Sequence, residues 1–527
     1  MKSLKLSSMK SLLLATVFTC GMYQPAYAAT IDETGAAALK QEMTQAIEDF
    51  KLQLALPESA QSGLKVLGDV EVTPQGDYYA VVFPVFEYRV DSDVRFDFGQ
   101  FKANMKPAGN DDWKYSMLIP PKMRVLNQNG DEMASLKIGE QVNQGIWNSE
   151  YGISSKSKVM LKDIVLSTPE GINSIKFSAK IDSFENFTNL ERDANNLYSG
   201  PQTYKMSNFS VMFDDGKEDG AFQIQEISGD ANVEGMSLEV MKNINSLQGM
   251  LQEMQAGQMT EADTAAIEAE VANMIRGFGS FIKSGDSSMA IKNVSGRMND
   301  KMGVERSFNL DTMGVSFTAD KMDQPKAMIG FDFDISNMVA RPVPKEAEPF
   351  IPYNMNFNFE LRDFPLVEIL NFAADNMKNT GPQTGMQMVE ILRQAMTELR
   401  ISNTVFAFGE YEIEVDTQVK PSASGAPVPD MKTTIGIVGL DKLLAEIQAK
   451  QQAGTATMQE QQMMGGLAMV QQMGQNATSA KSGKPIRQYV FETQPGGKMF
   501  LNGSDIQPMI GMFMGQAMGG AAMQPGM

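Results

Sequence analysis

The chain of 527 residues contains no histidine, and its one cysteine is Cys20. Imidazole and thiolate carry most nucleophilic, acid–base and transition-metal chemistry near neutral pH. Ser-His-Asp and Cys-His devices are therefore excluded, as are zinc sites built from His and Cys. Cations are also scarce: 45 Lys and Arg stand against 64 Asp and Glu, and no basic cluster occurs. Nucleic-acid binding needs cationic contacts that displace counterions, so it is not expected. Electrostatic docking on anionic lipid is disfavoured for the same reason.

No apolar run reaches the ~20 residues that a membrane-spanning helix needs. The N-terminus instead reads as an export signal. Lys2, Lys5 and Lys10 form a basic region, Leu12 to Phe18 a short apolar core, and Ala26-Tyr27-Ala28 an A-x-A cleavage site. The expectation is a periplasmic protein cleaved after Ala28, with no span left. Loss of the three lysines would take the formal net charge from −19 to −22. It would also remove Cys20, and an exported chain without cysteine fits the bacterial periplasm or envelope better than a disulfide-using compartment.

What remains is 43% apolar and 21% charged, the balance of a globular protein. Residues 29–59 form an amphipathic helix, because Leu39, Met43, Ile47, Phe50 and Leu54 recur at helical spacing. From Leu64 the period drops to two, and 60–236 reads as short strands separated by turns such as Asn127-Gln128-Asn129-Gly130. A helix pair follows at 237–285, its second member opened by a capping box at Thr260 to Asp263 and striped by Ile267, Val271, Ile275 and Phe278. Strands resume over 286–439, interrupted by a helix pair at 366–399. A helix from Leu440 grades into a Gln/Met-rich segment to 485. A hairpin at 486–505 and an uncharged Met/Gly-rich tail at 506–527 complete the chain. The clearest alternation sets Tyr353, Met355, Phe357, Phe359 and Leu361 against Asn354, Asn356, Asn358, Glu360 and Arg362. One apolar and one wet face argue for antiparallel sheets covered on one side. The predicted class is α+β: long, mostly antiparallel sheets of repeated hairpins, covered by interspersed amphipathic helix pairs. A loose recurrence accompanies it. Leu161-Lys162-Asp163-Ile164, Met206-Ser207-Asn208-Phe209 and Ile291-Lys292-Asn293-Val294 each set a short polar residue before an apolar one, read here as strand starts.

Three stretches carry a resemblance. Leu136 to Trp147, Phe359-Glu360-Leu361-Arg362-Asp363-Phe364-Pro365 and Gly439-Leu440-Asp441-Lys442-Leu443-Leu444 resemble recurring elements of the YdgA-like bacterial envelope proteins and their alphaproteobacterial relatives. The resemblance covers most of the chain after the signal. It implies a strand-rich periplasmic protein and transfers no catalytic residue. The Met-rich C-terminal third departs from it.

Three functions fit this composition. The first is non-enzymatic binding, needing no cofactor: an aromatic and methionine-rich face accommodates an apolar ligand such as a lipid acyl chain, or an envelope protein segment. Tyr353, Met355, Phe357 and Phe359 are the candidate lining residues, with ordinary core packing as the competing reading. The second is a carboxylate hydrolase, which needs two acids at fixed separation, one with a raised pKa; Asp332 and Asp334 share a strand face, as residues of any solvated face do. The third is Cu(I) binding by thioethers. The chain has 42 methionines, and Met463, Met464, Met512, Met514 and Met518 are spaced to share an ion, although use as an apolar filler explains the wide spread. The acidic turn from Asp214 to Asp219 does not match a Ca²⁺ loop and reads as a charged hairpin turn. Gly511 and Gly515 read as part of a flexible tail.

Overall fold

The computed structural model describes residues 31–53, 63–89, 94–109, 111–149, 151–169, 176–216, 218–239, 261–299, 301–344, 351–377, 381–409, 411–422, 428–494 and 497–508. The expected signal segment, the expected capping box at Thr260 and the tail beyond 508 lie outside them. The chain divides into two compact units between Phe308 and Asn309, and each is described by itself.

The first unit opens with helix α1 (Glu33–Gln53). Strands follow in the order β1 (Gly63–Leu67), β2 (Glu71–Gln75), β3 (Tyr78–Arg89), β4 (Val94–Gly109), β5 (Asp112–Leu118), β6 (Lys122–Asn127), β7 (Glu132–Lys137), β8 (Glu140–Asn148), β9 (Ile153–Ser167), β10 (Lys176–Asn189), β11 (Glu191–Arg192), β12 (Leu197–Asp214) and β13 (Asp219–Ser237). Helix α2 (Glu261–Phe278) and strand β14 (Ser284–Asn299) come next. Every pairing whose register is resolved is antiparallel. β3 pairs β4. β5 and β6 run end to end along β4, and β7 and β8 run end to end along β9. From β9 the ladder passes to β10, β12, β13 and β14. The sheet is thus a meander in which each long strand lies beside its neighbour in sequence. The expected short strands are found at β1, β2, β5, β6 and β7, of 5–7 residues, but others are long, with β12 at 18 and β13 at 19 residues. What reads as a strand boundary in the sequence is an interruption inside a strand.

Those interruptions align. Asp163, Asn208 and Asn293 each have φ of 52°, the left-handed region that short Asp and Asn side chains tolerate better than other non-glycine residues. The three recurrent tetrapeptides are therefore mid-strand kinks, not strand starts. Across the sheet, Asp163, Asp182, Asn208, Gln225 and Asn293 fall opposite one another at the rungs that the ladders skip. Asn208 Nδ2 donates to Asp182 Oδ2 at 2.8 Å, and Asn293 Nδ2 donates to the Gln225 side chain. The line continues towards β4. Gly139 lies against Asp163 and donates its N–H to the Lys162 carbonyl at 3.0 Å. Pro120 and Pro121 separate β5 from β6, and Gly99 (φ 73°) packs against Pro120. Where Pro120 and Pro121 interrupt the ladder, the Gln141 side chain bridges instead, accepting from Ile119 N and donating to Ile119 O, both at 2.7 Å. Proline and glycine within a sheet are confined to such breaks. The result is one crease running across the meander.

At the crease the apolar spacing changes from two residues to three. Leu161 and Ile164, Ile181 and Phe184, Met206 and Phe209, Ile224 and Ile227, and Ile291 and Val294 occupy the rungs on either side of it. The intervening polar pairs, such as Lys162-Asp163 and Ser207-Asn208, emerge on the wet side. There Lys205 and Lys292 both pair with Glu226, at 2.7 and 2.8 Å, and hold its carboxyl down at about 2.

Helix α1 covers the first part of the apolar side. Ala36, Leu39, Met43 and Ile47 are buried in one core with Val70, Tyr79, Val81, Phe83, Phe86, Phe101 and Trp147, and Leu161, Ile164 and Phe184 belong to its far edge. Burying each large aliphatic side chain of the helix contributes about 1.5–3 kcal/mol. The predicted stripe is confirmed at Leu39, Met43 and Ile47; the side chains of Phe50 and Leu54 lie outside the described residues. Beyond β9, Phe184, Tyr204, Met206, Phe209, Ile224, Ile227 and Ile291 are only half-buried, while Val294 on β14 is buried.

The division falls within β15 (Glu305–Asp320). The second unit continues with β16 (Ala327–Ser336), β17 (Val339–Arg341), β18 (Asn354–Phe364), helices α3 (Leu366–Asp375) and α4 (Pro382–Ala395), β19 (Glu398–Phe408), β20 (Tyr411–Lys420) and β21 (Asp430–Val438). Helices α5 (Leu440–Gln452) and α6 (Met458–Met473) precede β22 (Gln475–Thr478), β23 (Pro485–Gln494), β24 (Lys498–Leu501) and β25 (Ser504–Asp505). The same antiparallel meander recurs through β15, β16, β18, β19, β20, β21 and β23. Each helix pair lies in the connection between two strands that pair with each other. The Gln/Met-rich segment does not grade out of the preceding helix: α6 is a separate helix. Thr457 opens it with a capping box, its hydroxyl accepting from Glu460 N at 3.2 Å while the Glu460 carboxylate accepts from Thr457 N at 2.8 Å.

Candidate apolar binding face

Period-two alternation places every second residue of the second unit's strands on one side, and the register lines these residues up across the sheet. Met313, Ile335, Met355, Phe406, Ile413 and Ile437 form one cross-strand row. Val315, Phe333 and Phe357 begin a second, and Phe317, Phe331, Phe359 and Ile401 a third. Leu361, Leu399, Val419 and Met431 extend a fourth from Ile329. The rings of Phe331 and Phe357 lie 6.4 Å apart. Of the candidate lining residues, Met355, Phe357 and Phe359 stand together on this face. Tyr353 precedes β18 and is tied by its main chain, its N–H donating to Ala407 O and its carbonyl accepting from Met338 N, both at 2.9 Å.

The opposite side is polar and satisfied. Asp332 accepts from Ser316 Oγ at 3.0 Å and from the Asn358 side chain, and Ser402 Oγ donates to Asn358 at 2.5 Å. Arg362 pairs with Glu360 at 2.6 Å. The two faces are sorted accordingly: the wet side has polar partners, and the other side is carbon and sulfur until the third row reaches Thr417 and Thr433, whose hydroxyls bond each other at 3.2 Å.

The helices leave much of the apolar face uncovered. Leu366 and Ala374 are buried from α3, and Leu440, Leu444 and Ile447 from α5. Helix α4 buries no side chain, and its Met386 and Val389 are each 65% exposed. Met355, Phe357, Phe359, Phe331, Phe333, Ile329 and Ile335 are all half-exposed rather than buried.

The carboxylates are arranged differently. Glu87 is buried between Arg89 (2.8 Å) and Arg95 (3.2 Å). Glu414 is buried under the loop before β23, accepting from Ser479 Oγ at 2.5 Å. Asp332 and Asp334 share the wet face as expected, Asp332 hydrogen-bonded and Asp334 exposed. Glu42 on α1 stands apart: burial, reinforced by the nearby Asp111 charge, pushes its carboxyl up to about 7, and its Oε2 is buried without a hydrogen bond. The Asp214–Asp219 turn closes the β12–β13 hairpin, with Asp214 and Asp215 accepting from Gly216 N and Glu218 N at 2.8 Å. Among the described residues no group of three or more Asp, Glu, His or Cys side chains is placed to hold a metal ion. Of the methionines singled out for copper, Met463 and Met464 lie on α6, where the Met463 side chain is outside the description, and Met512, Met514 and Met518 lie outside the described residues altogether. No described helix is long and apolar enough to cross a membrane.

Sequence reasoning located the β18 face and missed its counterpart in the first unit, from β10 to β14. The signal was present as the change of apolar spacing from two to three in each strand, which obscured the alternation. Comparison with protein-family models, with curated proteins and with solved structures finds no match to this chain.

Proposed function

We propose that this protein is a non-enzymatic binding protein whose one-sided sheets hold an apolar ligand, a lipid acyl chain in the first instance, in the periplasm. The observation that carries the reading is the mismatch between apolar face and cover. In the second unit, long aliphatic and aromatic side chains line up across six strands, yet stay half-exposed beneath helices that bury few of their own residues. Contiguous exposed apolar surface of this kind marks ligand or partner sites on monomeric proteins. Methionine and phenylalanine supply a smooth, adaptable lining that suits chains of varying shape.

The chemistry of the acids supports binding over turnover. Glu87 and Glu414 are committed to arginine and serine partners; of the carboxyls that burial raises, Glu42 lies in the seam between α1 and the sheet, and Asp112 accepts from Asn148 Nδ2 at 2.9 Å. The test is native mass spectrometry of the full chain isolated by gentle extraction from the periplasm of an expressing bacterium. Co-purifying lipid, displaced by Phe357→Arg, is the expected result. Apolar ligand absent from every preparation, with the fold intact, would overturn the reading.

A further inference from the structure

In the first unit the crease gives the apolar side a direction. Two successive polar residues on the wet side lengthen that side of each strand, so the sheet folds towards its apolar side, as strands do at bulges. The pairs flanking the crease then form the two walls of a furrow. None of those ten side chains is ionisable. From β10 to β14, past the cover of α1 on β9, four strands about 4.8 Å apart give a furrow of about 14 Å, and one acyl chain spans half of a hydrocarbon core about 30 Å thick, or about 15 Å. An extended peptide is the poorer occupant, because β9, β10, β12 and β13 are each paired on both edges and offer it no free main-chain groups. The furrow is also continuous with an interface already formed: Leu161, Ile164 and Phe184 close the core beneath α1, and the same two walls run on to β14, half-buried except at Val294, which is buried.

We infer that this crease holds a single lipid acyl chain, lying across the strands from β10 to β14 between walls that include Phe184, Met206, Phe209, Ile224, Ile227 and Ile291. The inference rests on the apolar-ligand reading above and adds to the second unit's face a further site in the first unit, with an orientation. Such a chain would bury its methylenes against apolar walls, with no polar group to desolvate along its length.

The experiment uses the full-length protein and a photoreactive palmitate carrying a diazirine in mid-chain, followed by peptide mapping. Labelling is expected on β10, β12, β13 and β14 beside the crease. It should fall at least tenfold in Met206→Trp, which fills the furrow without adding charge, and in Ile227→Arg. Circular dichroism and the thermal midpoint check that each variant is folded, and Met206→Leu serves as the volume-conserving control that retains labelling. Label confined to β16–β19 and indifferent to Met206→Trp would overturn the crease assignment and leave apolar binding standing. Label nowhere on the chain, together with lipid-free native spectra, would overturn both.

Discussion

Glu42 is the group whose removal has the most definite consequence. Its carboxyl titrates at about 7 in the folded protein rather than at 4.5, because helix α1 carries it into the seam between helix and sheet, near Asp111. A carboxyl with a raised folded-state pKa binds more protons folded than unfolded. Its cost to stability is therefore absent below about 4.5, accumulates as pH rises from there to about 7, and is complete above that. At about 1.4 kcal/mol per tenfold change in proton affinity, the full displacement is worth roughly 3 kcal/mol. The side chain is only half-buried, and solvent screening of its exposed part reduces this to about 1–2 kcal/mol. Glu42→Gln keeps the shape and removes the charge. Urea unfolding at pH 5 and pH 8.5 should show the variant more stable than the wild type by about 1–2 kcal/mol at the higher pH and little changed at the lower. Parallel stabilities for the two proteins across this range would refute the assignment of the raised carboxyl to Glu42.

Further expectations follow from the crease and the faces. Asn208→Ala should cost about 1 kcal/mol in chemical denaturation, because alanine is strained at φ 52° and loses the bond to Asp182, whereas Asn208→Gly should be close to neutral; equal losses would argue against a conformational cause. Phe357→Ala should destabilise by about 1–2 kcal/mol, below the 3–5 kcal/mol of a fully buried ring, while lowering lipid retention in native mass spectra several-fold. Thr457→Ala should cost about 1 kcal/mol through loss of the capping box on α6, read as a lower thermal midpoint. Glu226→Gln should matter little, by less than about 1 kcal/mol at pH 7. Since the lysines hold its carboxyl at about 2, that small contribution is present above the ordinary carboxylate range and fades as pH falls towards 2.

Much of this fold was legible in the sequence because its strands obey a simple alternation. Tyr353 to Leu361 announces both a strand and its faces, and Leu39, Met43 and Ile47 announce the helix that covers one end. The crease was not legible, because a residue in the left-handed region turns the strand without any change of composition. Lys162-Asp163 reads as a polar interruption, and only its alignment with Asp182, Asn208, Gln225 and Asn293 shows that the strand continues through it. The same signature recurs at Asn337, Asp363 and Asn403, with φ of 51–52°, where a sequence reader sees turn residues. Helix α6 was blurred for another reason. Glutamine, methionine and glycine carry weak helical periodicity, and the cap at Thr457 is the sharper mark. The apolar face of β18 was placed correctly because its wet partner residues are unambiguous; whether a face is covered depends on helix placement, which alternation does not encode.

Because each long strand docks on a strand close to it in the chain, the sheets grow by accretion. A hairpin added or deleted at one place leaves every other rung in register, much as in solenoid repeats. Formation likewise needs few distant encounters, since closing each new rung requires only a short loop or a helix-bearing excursion. Length is therefore an inexpensive variable for this architecture, and genes encoding it can change the reach of the molecule by duplicating one hairpin.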